Sequence, residues 1–467
     1  MLDYIVYMPV HLFAVGQIIP VVPKNEKAML PGGPSQPESS NESIPLVASA
    51  VQDDQESKPV IHDGSATVLS SSFNLSNTII GCGIMTLPFN LYNCGWVLGM
   101  FCLLLVGLSS GYAFNLLTVA SEYTGFFQYR DIALKLYGQK FSLFIGIIVI
   151  IYTFGSIASY CIVLRDNMFW WSEPTSENDY KKKSLLWGIM TFIILPLCLL
   201  PRIDFLNFTS LVALASIFYV ICVVAGFYLL VTYVPGKILS SGPPQALNFS
   251  IDAFTAFPLF TTAFCGHYNS MNIYRELKDR SIRRMNITIL ITMAVTILFN
   301  SAMALFGYFA FTDTVASDIL RNVSQLSGAS VYFQIANTAM ILVMLFSYPL
   351  VSFGVNKAFQ SLIWKPGQKV PFKWSLMFAL INVFVPAIIA TFVSDIDHIL
   401  SFTASLCGSP MVYIIPGFFG YTISKRQGGP KYRLALSLIL IILGVFYSVS
   451  GFSSALYTIA IRPALEK

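Results

Sequence analysis

The sequence predicts an all-α polytopic membrane fold of 11 transmembrane helices, and three observations carry that prediction. The 467 residues are 55% hydrophobic and 14% aromatic but only 11% charged, where a water-soluble domain carries roughly 25% charged residues. Mean hydropathy is +0.68, so there are too few charges to cover a surface that faces water. Uncharged windows recur from residue 71 to residue 461, which excludes a single-pass arrangement and leaves no room for a soluble domain among them.

A helix that crosses a bilayer needs about 20 largely apolar residues. Windows free of Asp, Glu, Lys and Arg fall at 71–121, 141–164, 185–200, 206–236, 253–274, 285–312, 322–356, 374–394, 398–424 and 434–461. The first is too long for one helix and is punctuated by Pro88 and by Asn93-Cys94-Gly95, so it reads as a hairpin of two spans. An odd number of spans puts the termini on opposite sides. The loops on one side carry 17 Lys and Arg and those on the other carry 8; the richer side is cytosolic by the positive-inside rule. The N-terminal tail is therefore expected in the cytosol. The sequons at Asn248 and Asn322 are expected on the opposite face, where glycosylation is open to them.

Residues 24–66 are rich in Pro, Ser, Gly, Glu and Asp, show no apolar periodicity, and are expected to stay disordered. Residues 1–23 are apolar but interrupted by Asp3, Pro9, His11 and Pro20, without a basic n-region. That argues against a signal peptide and leaves a twelfth span, an interfacial segment or a later start codon open. The eight cysteines all lie in apolar stretches, so no disulfide framework is expected. The net charge of +5 is spread over short loops with no basic face, which points to topology and away from nucleic acid.

Breaks inside spans are informative, because lipid tolerates non-helical backbone only where it lines a cavity or packs inside protein. Span 1 reads Asn77-Thr78-Ile79-Ile80-Gly81-Cys82-Gly83-Ile84-Met85-Thr86-Leu87-Pro88, and span 6 reads Thr261-Thr262-Ala263-Phe264-Cys265-Gly266-His267-Tyr268-Asn269. Both place glycine among polar residues at mid-depth, five spans apart. Matching interruptions in two halves of a chain are the sequence pointer to an inverted-repeat transporter with its site at the repeat interface; close helix packing through small residues is the alternative.

The stretch Asn74-Leu75-Ser76-Asn77-Thr78-Ile79-Ile80-Gly81-Cys82-Gly83-Ile84 resembles the amino acid/auxin permease superfamily, as do Tyr129-Arg130-Asp131-Ile132-Ala133 with Leu136-Tyr137-Gly138, Ala263 to Ser270 through Ile273-Tyr274-Arg275-Glu276-Leu277, and Phe346-Ser347-Tyr348-Pro349. The likeness is strongest to the sodium-coupled neutral amino acid transporter branch, with vacuolar amino acid transporters as near relatives. It implies a leucine-transporter-type 5+5 inverted repeat plus one extra helix. On that basis 1–66 is an N-terminal cytosolic tail and 67–462 the transmembrane domain, with repeat 1 at about 71–236, repeat 2 at about 252–424 and helix 11 at about 434–461. It also implies a secondary active transporter of neutral L-amino acids, coupled to sodium or a proton by alternating access and working as a monomer in the plasma membrane or a lysosomal or vacuolar membrane. An amino-acid sensor without net flux and a proton-coupled vacuolar or lysosomal exporter are the alternatives. No cofactor is expected beyond the coupling ion.

A free amino acid is a zwitterion, and broken helices offer it amides for the carboxylate and carbonyls for the ammonium without burying full charges. Gly81, Cys82 and Gly83 are the candidates for amides; Phe264, Cys265 and Gly266 are the candidates for carbonyls, with Thr78, Thr261 and Thr262 beside them. No Asp, Glu, Lys or Arg occurs within spans 1, 6 or 8, so a neutral substrate is expected. In the resembled branch an asparagine early in span 1 and a hydroxyl residue in span 8 help to bind sodium; Asn77 and Ser347 occupy the matching positions. Bonds between or within helices are the other account of those two side chains. His267 is the one histidine deep in the candidate site, and it is either a hydrogen-bonding structural residue or a carrier of a coupling proton. An enzyme is not expected, because catalysis needs a cavity-facing set of acids and bases and the spans offer this histidine no carboxylate partner.

Overall fold

The computed structural model describes residues 64–168, 176–199, 206–233, 242–327, 331–364, 368, 370–393 and 396–457. The expectations for residues 1–23 and for the tail up to residue 63 lie outside these residues. Among them there is no strand, only one β-bridge that pairs Ala66 with Leu277. Helix is what an apolar window must form in lipid, since it alone satisfies the backbone within one segment.

The chain enters through α1 (Val68–Ile79), capped by the Thr67 hydroxyl, which accepts the Ser70 amide. At Ile80 the backbone leaves the helix, and the Gly81 amide donates back to the Ile79 carbonyl at 2.9 Å. A 3-10 turn (Cys82–Thr86) leads into α2 (Leu87–Cys94), with Pro88 in its first turn where no amide partner is needed. Gly95, at φ 83°, reverses the chain, a conformation that an L side chain rarely adopts. There follow α3 (Trp96–Thr124), the short α4 (Tyr129–Tyr137), α5 (Gln139–Asn167), α6 (Ser176–Ile189) and α7 (Leu195–Cys198), then α8 (Leu206–Tyr233). A π turn (Met190–Ile194) joins α6 to α7.

The second half opens with α9 (Ile251–Thr262), α10 (His267–Glu276), α11 (Ile282–Phe311) and the short α12 (Ile319–Ser327). It continues with α13 (Val331–Ile363), α14 (Phe372–Phe392) and α15 (Ile396–Thr403); two π turns, Ala404–Gly408 and Pro410–Ile414, carry α15 into α16 (Ile415–Arg426), and α17 (Lys431–Leu456) closes the described chain. Among the described residues eight helical segments are long and apolar enough to cross a membrane, the α15–α16 segment counted as one. The windows expected as spans 1, 4 and 6 form no single long helix, each being divided into short pieces by a glycine-rich break or a π turn.

The most apolar stretch of α5 has 78% of its residues buried inside the protein against 28% for α17, so α5 runs through the middle and α17 along the edge. It packs on α13, α14 and α15, while α1 packs on α8 and α11. At one end of α5 the Arg165 guanidinium donates to the Val393 carbonyl at 2.9 Å and pairs with Asp166, which also holds Arg321 of α12. Three elements are tied there by one ionic cluster.

Close approach of α5 to α15 depends on Gly155, where a Cβ would stand 2.2 Å from the Thr403 Cγ2. Thr403 is short and branched and has no flexible end to yield. Gly155→Ala is expected to destabilise the fold by about 1–3 kcal/mol, the usual range for an overpacked contact. Thermal melting of the detergent-solubilised protein should fall, with Thr403→Ala recovering part of the loss.

Candidate functional site

The two interruptions meet. A Cβ on Gly83 would stand 3.4 Å from the Ala263 Cα, and one on Gly266 would press on Ile79 and Thr78. The 3-10 turn starts at Cys82, and the first amides of such a turn have no partner within it. At the end of α9, Phe264 and Cys265 donate back to the Thr261 and Thr262 carbonyls. Further carbonyls are held by neighbouring helices: Asn300 of α11 donates to Ala263 at 2.9 Å, and the Ser110 hydroxyl of α3 donates to Phe264 at 3.0 Å.

A cavity of about 20 Å³ lies against these breaks, enough for one or two waters at about 10–15 Å³ each. Thr78, Gly81, Cys82, Gly83, Thr262 and Cys265 line it. Thr261, Phe264 and Gly266 are not on its wall: Thr261 donates to the Phe257 carbonyl, Phe264 spends its carbonyl on Ser110, and Gly266 packs on Ile79. The rest of the lining is Ile79, Tyr152, Ser156 and Tyr160 of α5 with its neighbour α1, Tyr268 of α10 and Leu400 of α15. No charged side chain is among these described lining residues. Tyr152, Ser156 and Tyr160 recur at helical spacing in an apolar span, a polar stripe that sequence reasoning missed although periodicity carries it.

Each of the three tyrosines rests on a glycine of another helix. Tyr160 covers Gly81, Tyr152 covers Gly408 in the first π turn of the α15–α16 segment, and Tyr268 covers Gly354 of α13. The rings narrow the cavity where they rest on these glycines.

A second cluster sits behind the first break. Asn77 is fully buried, and its carboxamide lies between two hydroxyls: Ser347 of α13 donates to Oδ1 at 3.2 Å, and Nδ2 donates to Ser210 of α8 at 3.2 Å. Three helices thus bring three oxygens together. Ser210 was not anticipated, since a lone serine near the start of an apolar span gives no signal.

His267 opens α10, fully buried and stacked on Phe114 with ring centroids 3.8 Å apart. Neither ring nitrogen makes a well-formed hydrogen bond, the Ser110 backbone being a polar neighbour. Of the sequons, Asn322 is taken up by its own loop: Oδ1 accepts the Ala316 amide and Nδ2 donates to the Thr314 carbonyl, with 7% of the residue exposed. Asn248 is half-buried and accepts the Ser250 amide. Beyond α10, Ala66 exchanges backbone bonds with Glu276 and Lys278, and the Arg280 guanidinium lies 4.8 Å over the Phe127 ring.

The described helices match a family model for transmembrane amino acid transporter proteins over residues 64–457. The chain belongs to that family. It is 26% identical over 424 residues to amino acid transporter AVT6E of Arabidopsis thaliana, covering 86% of either chain. It is also 26% identical over 413 residues to sodium-coupled neutral amino acid symporter 2 of Danio rerio, covering 82% of this chain and 80% of that one. Among solved structures it shares its fold with a manganese transporter of Eremococcus coleocola, at a TM-score of 0.59 and 12% identity, over 86% of this chain and 92% of that one. That neighbour carries the leucine-transporter-type fold. The family and these relatives are transporters and not enzymes, and the long apolar helices make this member a multi-pass membrane protein.

For this member of the family the Gly81–Tyr160 contact gives a direct test. A methyl at 81 meets the Tyr160 ring and hydroxyl, and a displacement worth about 1–3 kcal/mol corresponds to roughly a tenfold to hundredfold loss of affinity. Gly81→Ala is expected to raise the half-saturating amino acid concentration by that factor, with Tyr160→Ala in the same chain recovering part of it, measured as uptake per molecule at the membrane.

Proposed function

We propose that this chain is a secondary active transporter of small to medium neutral L-amino acids, coupled to sodium by alternating access. The observation that carries the reading is the buried pair of Asn77 and Ser347 oxygens, with Ser210 held on the amide nitrogen, directly behind a broken helix whose described cavity lining carries no charge. Sodium is a hard cation that takes oxygen ligands, and an amide carbonyl with hydroxyls suits it. The zwitterion lies against the amides that start at Cys82 and the thiol and hydroxyl side chains of Cys265, Thr262 and Thr78. A cationic or anionic substrate side chain would find no partner there.

In this reading the chain crosses the membrane 11 times, with the N-terminus in the cytosol, as two five-span repeats at about 71–236 and 252–424 plus a last helix at about 434–461. The domain as a whole spans about 67–462, after a tail at 1–66, and acts as a monomer. Sodium in the cluster fixes α1 against α8 and α13, which shapes the break beside it for the substrate, so ion and substrate favour the same state. A likeness to a relative named as a sodium-coupled neutral amino acid symporter supports the choice of ion.

One observation favours a second reading. His267 is buried without a well-formed hydrogen bond to either ring nitrogen, and a proton carried there would make the protein a proton-coupled transporter.

The test is uptake of labelled glutamine, alanine and leucine into proteoliposomes under an imposed sodium or proton gradient. Sodium-driven accumulation, reduced about tenfold or more by Asn77→Ala and indifferent to excess arginine or glutamate, is the expected result. Accumulation driven by protons alone and abolished by His267→Ala establishes the second reading, and binding with no accumulation under either gradient overturns both.

A further inference from the structure

An amide group has a front and a back. A carboxamide presents one acceptor oxygen and two N–H donors, and a half-turn about its terminal bond exchanges them at almost no steric cost. A cation is drawn to the oxygen and repelled by the N–H dipoles. An asparagine that serves a cation therefore needs something to decide which end faces the ion.

At Asn77 that decision is made in α8. Nδ2 donates to the Ser210 hydroxyl at 3.2 Å, which leaves Oδ1 turned to Ser347 at 3.2 Å. Ser210 and Asn77 are fully buried and Ser347 is 1% exposed, so bulk water offers no substitute partner. The Ser347 hydroxyl donates to Oδ1 in this arrangement; it can turn its hydrogen away and give a lone pair to an ion. Ser210 keeps the same bond in either state, because a hydroxyl oxygen accepts from Nδ2 whether or not the ion is present.

We propose that Ser210 is a positioning residue for the coupling ion, holding the Asn77 amide with its oxygen toward Ser347 and its N–H groups away from the cation. This rests on the sodium reading above. Without the Ser210 oxygen the buried Nδ2 loses its acceptor, and an orphaned donor is costly enough to turn the amide. Nδ2 then faces the Ser347 oxygen, and the cluster presents N–H where it had presented a carbonyl. Outer partners of this kind change metal-ion affinity by about 10–100-fold when removed.

The experiment compares wild type, Ser210→Ala, Ser210→Thr, Asn77→Ala and the double variant Asn77→Ala/Ser210→Ala in proteoliposomes. Three quantities are read: the half-saturating sodium concentration, the amino acid KM at saturating sodium, and thermal melting without sodium. Ser210→Ala is expected to raise the half-saturating sodium concentration about tenfold or more while KM at saturating sodium stays near wild type and sodium-free melting falls only by the cost of one unpaired buried polar atom. Ser210→Thr keeps the oxygen and should bring the sodium dependence most of the way back. The double variant should respond to sodium no worse than Asn77→Ala alone, since the bond acts through Asn77. A sodium dependence unmoved by Ser210→Ala, or a fall in melting temperature that accounts for the whole loss of uptake, overturns the role of Ser210 while leaving the sodium site standing. A wild type indifferent to sodium overturns the site and this role together.

Discussion

Two stretches of buried backbone, at Ile80–Gly81 and at Ala263–Gly266, leave the helix in the interior and press against each other. Hydrocarbon forbids such a break at the lipid surface, so both must be wrapped by other helices, and every amide or carbonyl they release needs an assigned partner. Much of the surrounding structure answers that demand. Asn300 and Ser110 take up the Ala263 and Phe264 carbonyls from α11 and α3. Ser210 and Ser347 bracket Asn77 just before the first break. The backbone around Cys82, where the 3-10 turn begins, faces the cavity.

The same constraint brings tyrosine rings onto glycines around the cavity. Tyr152, Tyr160 and Tyr268 each rest an edge of the ring on a glycine of another element, and a contact of that kind brings the two close without side-chain interdigitation. Two π turns in the α15–α16 segment sit beside them, and such turns mark helices whose register is adjusted at functional sites. The small cavity lies among these contacts and the two breaks.

The fold was legible where one physical signal dominates. Uncharged windows of bilayer length gave the eight long helices, and Gly81, Gly83 and Gly266 marked the interruptions, because lipid makes both signals nearly obligatory. The eleven-span count is harder to read: spans 1, 4 and 6 are broken into short pieces, and the π turn at Met190–Ile194 leaves no mark in hydropathy. Of the residues expected at the site, Thr78, Gly81, Cys82 and Gly83 of span 1 and Thr262 and Cys265 of span 6 line the cavity. Phe264 and Gly266 lie at the break but off the cavity wall, where Ser110 donates to the Phe264 carbonyl and Gly266 packs on Ile79; such pairings across helices more than 150 residues apart leave no trace in local pattern. Ser210 stayed hidden for the same reason, and the Tyr152–Ser156–Tyr160 stripe was visible but outweighed by the glycines.

The central claim is that the breaks themselves form a site opened in turn to each side of the membrane. Cys82 and Cys265 line the cavity as free thiols, one on each break, and offer the most direct measurement. In a chain that keeps only one of them, the rate of alkylation by a membrane-impermeant maleimide is followed from either face of right-side-out and inside-out vesicles. The account predicts labelling from both faces, slowed from both by a transported amino acid. Labelling from one face alone under every ion and substrate condition, or labelling that a transported amino acid does not slow, would contradict it.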